Sequence, residues 1–279
     1  MSLVETIASR KNPLVLLARR VADGDPQERG RMLLDGLHLV QEARAAGVAV
    51  QTAAFATRAL NAPDGEARRL ATTLANIGCR VVQVSDAVMD AMSPVSTPSG
   101  IVALATRPKH DLEELLGSAE LLIVVVDVQD PGNLGAIVRV AEAGGAAGVI
   151  VCGASADPYG WKALRGAMGS GFRLPVVREG RAEDLVARLK GAGVRVLAAA
   201  QRQGGFYERS LTGPCAILLG GEGPGLSAEL IAAADGVVSV PMQAPVESLN
   251  VAVSAAVIIY EARRQRTQVH EQQRITVRG

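Results

Sequence analysis

The second half of the chain carries five short, almost wholly apolar runs, and these narrow the possible folds most: LLIVVVDV from residue 121, GVIVCG from 148, VRVLAAA from 194, CAILLGG from 215 and GVVSVP from 236. A strand with one wet face alternates apolar and polar residues. A strand apolar at every position is covered on both faces, which is the situation of a parallel sheet flanked by helices. Between the runs the apolar spacing becomes helical, over residues 134–143, 182–190, 228–234 and from about 249 to 266. The expectation is an α/β fold with a mainly parallel C-terminal sheet.

A smaller version of the same alternation comes first. From about residue 31, LHLVQEARAAG reads as helix, VAVQTAAF as strand, GEARRLATTLANIG as helix and CRVVQVS as strand, and PVSTPSG leads into a strand over 101–105. The charged stretch RPKHDLEELLG then breaks the apolar pattern. The chain therefore divides into an N-terminal domain over 1–107, a linker over 108–118, a second domain over 119–266 and a polar tail over 267–279 that is expected to fray. A length of 279 residues with 48% hydrophobic content supplies two cores.

Composition removes several function classes. A net charge of +1 excludes a histone-like basic surface, though a local basic face stays open. The three cysteines are far apart and form no C-x-x-C pair, so neither a disulfide scaffold nor a thiolate metal site is expected, and a reducing cytoplasm fits. No metal constellation is evident around His38, His110 or His270. The N-terminus lacks the apolar core of a signal peptide, and the apolar runs are too short to cross a bilayer. Three Phe, three Tyr and one Trp argue against a stacking platform for single-stranded nucleic acid.

In such a sheet, ligands bind beyond the carboxyl ends of the strands. Three polar clusters follow strands or open helices: DPGNLGAIVRVAEAGG from 130, ILLGGEGPGLS from 217 and VPMQAPVESLNVAVSAAV from 240. Taken singly, Asn133 reads as a helix cap, Arg139 as a solvated helix residue and Ser248 as an N-cap. Glu222 fits no bland role so easily. Its loop looks like a phosphate cradle, yet a central carboxylate repels phosphate and Pro224 removes a backbone donor. The glycines do not give G-x-G-x-x-G, and the chain contains no P-loop and no G-x-S-x-G elbow. A dinucleotide-dependent enzyme is accordingly unsupported.

In this order the three clusters resemble the motifs of the SpoU (TrmH-type) family of RNA ribose 2′-O-methyltransferases, of the SPOUT superfamily, over about residues 119–265. The N-terminal half, with LLDGLHLVQEARAAG and STPSGIVALA, is similar to the small substrate-binding domain that many members carry. The resemblance implies a deep trefoil knot, a homodimer, S-adenosylmethionine as cofactor and methyl transfer to a ribose 2′-hydroxyl of structured RNA. Ribosomal RNA is the expected substrate; transfer RNA, or a non-catalytic RNA-binding scaffold of the same fold, are the alternatives. It further implies catalytic roles for Asn133, Arg139, Glu222, Ser248 and Asn250, with cofactor contacts at Gly220, Val240, Leu249 and Ala199. Glu222 is expected to face Asn133 and Arg139. Gly135, Val140 and Ala244 stand where relatives often carry Ser, Thr and Gly. Arg10, Lys11, Arg19, Arg20, Arg29 and Arg31 form an early basic cluster suited to RNA phosphates.

Overall fold

The computed structural model describes residues 5–117, 120–201 and 209–276. The chain divides into two compact units, Met1–Pro108 with Tyr159–Phe172, and Lys109–Pro158 with Arg173–Gly279.

The first unit runs β1 (Glu5–Ile7), α1 (Pro13–Asp23), β2 (Arg31–Asp35), α2 (Leu37–Ala45), β3 (Val50–Ala56), α3 (Thr57–Leu60), α4 (Glu66–Asn76), β4 (Arg80–Val84), α5 (Asp86–Met92) and β5 (Ile101–Thr106). Its sheet has the order β1-β4-β3-β5-β2, with β5 antiparallel to both neighbours and the remaining pairs parallel. Leu33, Val82, Val84, Val102 and Leu104 from the strands share a core with Val15, Ala18, Val88 and Met89 from α1 and α5. Helix α1 starts where its sequence says it should: the Asn12 side chain accepts from the Leu14 amide and Pro13 opens the first turn. Periodicity counted from residue 31 passes over this helix.

The second unit contains α6 (Leu112–Gly117), β6 (Leu121–Val126), α7 (Pro131–Gly144) and β7 (Gly148–Cys152). Next in the chain come α8 (Trp161–Ala167), which belongs to the first unit and packs Trp161 against that core, and the short α9 (Ser170–Arg173). The second unit resumes with β8 (Val176–Arg178), α10 (Ala182–Gly191), β9 (Arg195–Ala199), β10 (Cys215–Gly220), α11 (Ala228–Ala233), β11 (Gly236–Val238) and α12 (Val251–Thr276). Its six strands are ordered β11-β9-β10-β6-β7-β8 and every pair is parallel. Leu122, Val124, Ile150 and Leu218 face a core shared with α10 and α11, and the alternate residues Ile123, Val125, Val151 and Ile217 are equally buried on the other face. That two-sided burial is what the unbroken apolar runs require.

Two boundaries differ from the sequence reading. Leu112–Gly117, read as linker, is a helix whose Leu112, Leu115 and Leu116 enter the core of the second unit. Flanking charges hid this i, i+3, i+4 apolar face. The polar stretch after Arg266, expected to fray, continues α12 to Thr276, with Arg264 bonded to Gln268 and Thr267 to the Arg263 carbonyl, one turn apart. The His270 side chain and residues 277–279 lie outside the described residues.

Candidate active site

Helix α7 is capped by Asp130, whose carboxylate accepts from the Asn133 amide at 2.8 Å, with Pro131 in the first turn. Capping is therefore not the task of the Asn133 side chain. Its Nδ2 donates to Glu222 Oε1, and its Oδ1 accepts from Asn250 Nδ2 at 2.9 Å. Asn250 in turn caps α12: its Oδ1 accepts from the amides of Ala252 at 2.9 Å and Val253 at 3.3 Å.

The direction of this relay follows from its ends. The helix N-terminus offers donors, so Asn250 must turn its carbonyl oxygen there and its NH2 group toward Asn133. Asn133 must then present its oxygen to Asn250 and its NH2 to Glu222, which as a carboxylate only accepts. Ser248, read as a natural N-cap, has no such role, because the helix begins three residues beyond it, at Val251, and Asn250 caps it.

The glycine-rich loop answers a steric demand. Strand β10 ends at Gly220, and a bridge between Gly221 and Gly225 closes the turn. A Cβ at Gly221 would collide with the main-chain carbonyl of Asp127, and one at Gly220 with the backbone of Gly225 and Leu226. Asp127 is itself in the left-handed region at φ 56°, with its carboxylate accepting from the Ala154 amide at 2.7 Å. It thereby ties the ends of β6 and β7 to the loop after β10. In the sequence only its place directly after the apolar run Leu121–Val126 marks it.

These loops enclose a cavity of about 720 Å³, within the range of small-molecule sites. Ala199, Gly220, Val240 and Leu249, the four expected cofactor positions, all line it, and so do Glu222, Ser248 and Asn250. Among the described residues its ionisable lining groups are Glu222 and Glu247, with no lysine, arginine or histidine. Asn133 joins through its two hydrogen bonds.

Arg139 does not join. It is exposed on α7, outside the cavity lining, and has no hydrogen bond or ion pair among the described residues. Of the two expected neighbours of Glu222, Asn133 is hydrogen-bonded to it, and no hydrogen bond or ion pair joins it to Arg139 among the described residues. Arg139 stands six residues further along α7, roughly 9 Å up the helix axis.

In the first unit, Arg20 and Arg31 bracket Glu28 at 3.1 and 2.5 Å, while Arg10 and Arg19 donate to the carbonyls of Ala87 and Ala91 at 3.1 and 2.7 Å. Lys11 and Arg29 are exposed. The early basic cluster is in part structural.

Among the described residues no group of three or more His, Cys, Asp or Glu side chains is arranged to hold a metal ion, and no helix is long and apolar enough to cross a membrane.

Residues 120–260 match the SpoU rRNA Methylase family, and residues 26–103 match the MRM3-like substrate binding domain. The chain is 34% identical to the 23S rRNA (guanosine(2553)-2′-O)-methyltransferase RlmP of Bacillus subtilis (strain 168), over 83% of this chain and 88% of that protein. Among solved structures it is similar to an AdoMet-bound rRNA methyltransferase from Sinorhizobium meliloti, with a TM-score of 0.82 and 28% identity over 94% of this chain and 98% of that one. It is also similar to the SpoU methyltransferase AviRb from Streptomyces viridochromogenes in complex with AdoMet, with a TM-score of 0.79 and 27% identity over 92% and 100% of the two chains.

Proposed function

We propose that this chain, which belongs to the SpoU rRNA methylase family, transfers a methyl group from S-adenosylmethionine to a ribose 2′-hydroxyl of ribosomal RNA. The observation that carries this reading is the convergence of three distant segments, at Asn133, Glu222 and Asn250, through one side-chain relay on the rim of one cavity. The cavity fits the cofactor in size and in charge. Its glycine walls let a ligand lie against backbone, and two carboxylates with no lysine or arginine beside them among the described residues suit a cation that carries no phosphate.

When bound, S-adenosylmethionine supplies an electrophilic methyl group on a sulfonium. The chain's own contribution is placement, which supplies much of the acceleration of an in-line transfer. Asn250 locks the start of α12 and, through Asn133, holds the Glu222 loop in register with it. Ser248, on the cavity wall, orients the incoming hydroxyl. Arg139 is a permanent cation with no hydrogen bond or ion pair among the described residues, and we assign it to an RNA phosphate beside the target ribose, where it favours the developing alkoxide. A guanidinium keeps its proton, so Arg139 activates and anchors rather than serving as the base.

The remaining parts of the reading follow the same fold. The first unit selects the RNA, in line with its match to a substrate binding domain. Residues 1–107 serve as the recognition domain, joined by the Tyr159–Phe172 segment, and the rest of 119–266 as the catalytic domain, with the trefoil knot in the latter. A second copy of the chain covers an apolar strip on the second unit, where Val246, Val253 and Tyr260 are 52%, 48% and 52% exposed. Three buried, unpaired cysteines support a reducing cytoplasmic setting.

The test supplies methyl-labelled S-adenosylmethionine with protein-free ribosomal RNA and, in parallel, transfer RNA, followed by digestion to nucleosides. Label in a 2′-O-methylnucleoside from ribosomal RNA is expected. No transfer would favour the scaffold, and transfer only to transfer RNA would reassign the substrate.

A further inference from the structure

Two carboxylates face the cavity, and one of them is engaged. Glu222 accepts from Asn133 and is thereby held at the rim. Glu247 stands three residues before Asn250 in the segment leading into α12, lines the same cavity, and has no hydrogen bond or ion pair among the described residues. Among the described residues no cation in the cavity wall offsets either charge.

We infer that Glu247 is a specificity-determining residue, whose unpaired carboxylate favours the sulfonium cofactor over the neutral thioether left after methyl transfer. The inference rests on reading the cavity as the cofactor site. The two molecules share an adenosine and an amino acid tail and differ by one methyl group and one positive charge. Shape contacts with the shared parts bind both alike; a fixed negative charge does not. Without such a bias, accumulating product competes with the cofactor for the site. Glu247 is exposed, so water and salt screen it, and the expected preference is about fivefold at low ionic strength.

Isothermal titration calorimetry on Glu247→Gln tests this with three probes: S-adenosylmethionine, S-adenosylhomocysteine and sinefungin, which carries an ammonium group near the sulfonium position. The variant is expected to bind the two cationic probes about fivefold more weakly and the thioether within about twofold of wild type, with the difference collapsing at high salt. Glu247→Asp keeps the charge and is expected to keep the preference, which separates charge from folding. Equal weakening of all three probes, or no change in any, overturns the inference while leaving the cofactor reading intact. A wild-type protein that binds none of the three overturns both.

Discussion

Asn250 donates its side-chain amide to Asn133 across 2.9 Å while its own carbonyl oxygen caps α12. One side chain thus terminates a helix and fixes the orientation of a second residue 117 positions away. The two duties separate by substitution. Asn250→Ala removes the cap, costing about 1 kcal/mol of stability, and also breaks the relay. Asn250→Asp keeps an acceptor at the helix start, where negative charge is welcome, but cannot donate. Asn133 then either loses a partner or turns its carbonyl toward Glu222. Near-wild-type Tm with methyl transfer reduced about tenfold or more is expected for Asn250→Asp, since a hydrogen bond to a charged group is worth about 1.5–3 kcal/mol. Thermal unfolding and single-turnover rates check it.

Gly221→Ala drives a methyl group into the Asp127 carbonyl. Backbone on both sides leaves little to yield, so a loss of about 1–3 kcal/mol is expected, with S-adenosylmethionine affinity falling alongside because the loop forms the cavity wall. Calorimetry and denaturant unfolding measure the two effects.

Tyr260 is 52% exposed on α12 and lies seven residues after Val253, on the same helical face. If a second copy covers this strip, Tyr260→Glu buries an unpaired charge at the interface. Sedimentation velocity is expected to show a dimer for wild type and a monomer for the variant.

Burial pushes the Asp35 carboxyl above its ordinary value, offset in part by the Ser93 hydroxyl, which donates at 2.5 Å, and by Arg165. The folded state therefore holds this proton more tightly than the unfolded chain does. Stability falls as pH rises from the ordinary carboxylate value through the raised one. Asp35→Asn is expected to raise Tm at pH 7 and to have little effect below the ordinary carboxylate value. An equal shift at both pH values would contradict this.

Much of the fold is legible in the chain because burial on two faces is written directly into composition: β6, β7 and β10 contain almost nothing but Val, Ile, Leu, Ala and small residues. Helix α6 is not, since LEELLG is too short, and too closely flanked by charge, to display its period. Within the site, Glu222 announced itself by contradiction, a carboxylate where a phosphate cradle needs none. The bond that resolves it, to Asn133, joins residues 89 positions apart and is set by packing of β10 against β6, which periodicity does not encode. Arg139 illustrates the converse. Motif spacing grouped it with Asn133, yet no hydrogen bond links it to the relay among the described residues. Glu247 lies in an irregular segment, where no period marks a side chain as facing a cavity.

Methyl transfer to an RNA ribose is tested by mass-spectrometric mapping of 2′-O-methyl groups in total RNA from cells with and without the protein. One ribosomal position is expected to carry the methyl group only when the protein is present, and to lose it with Arg139→Ala even though that variant still binds S-adenosylmethionine. An unchanged map, or full methylation with Arg139→Ala, would contradict the account.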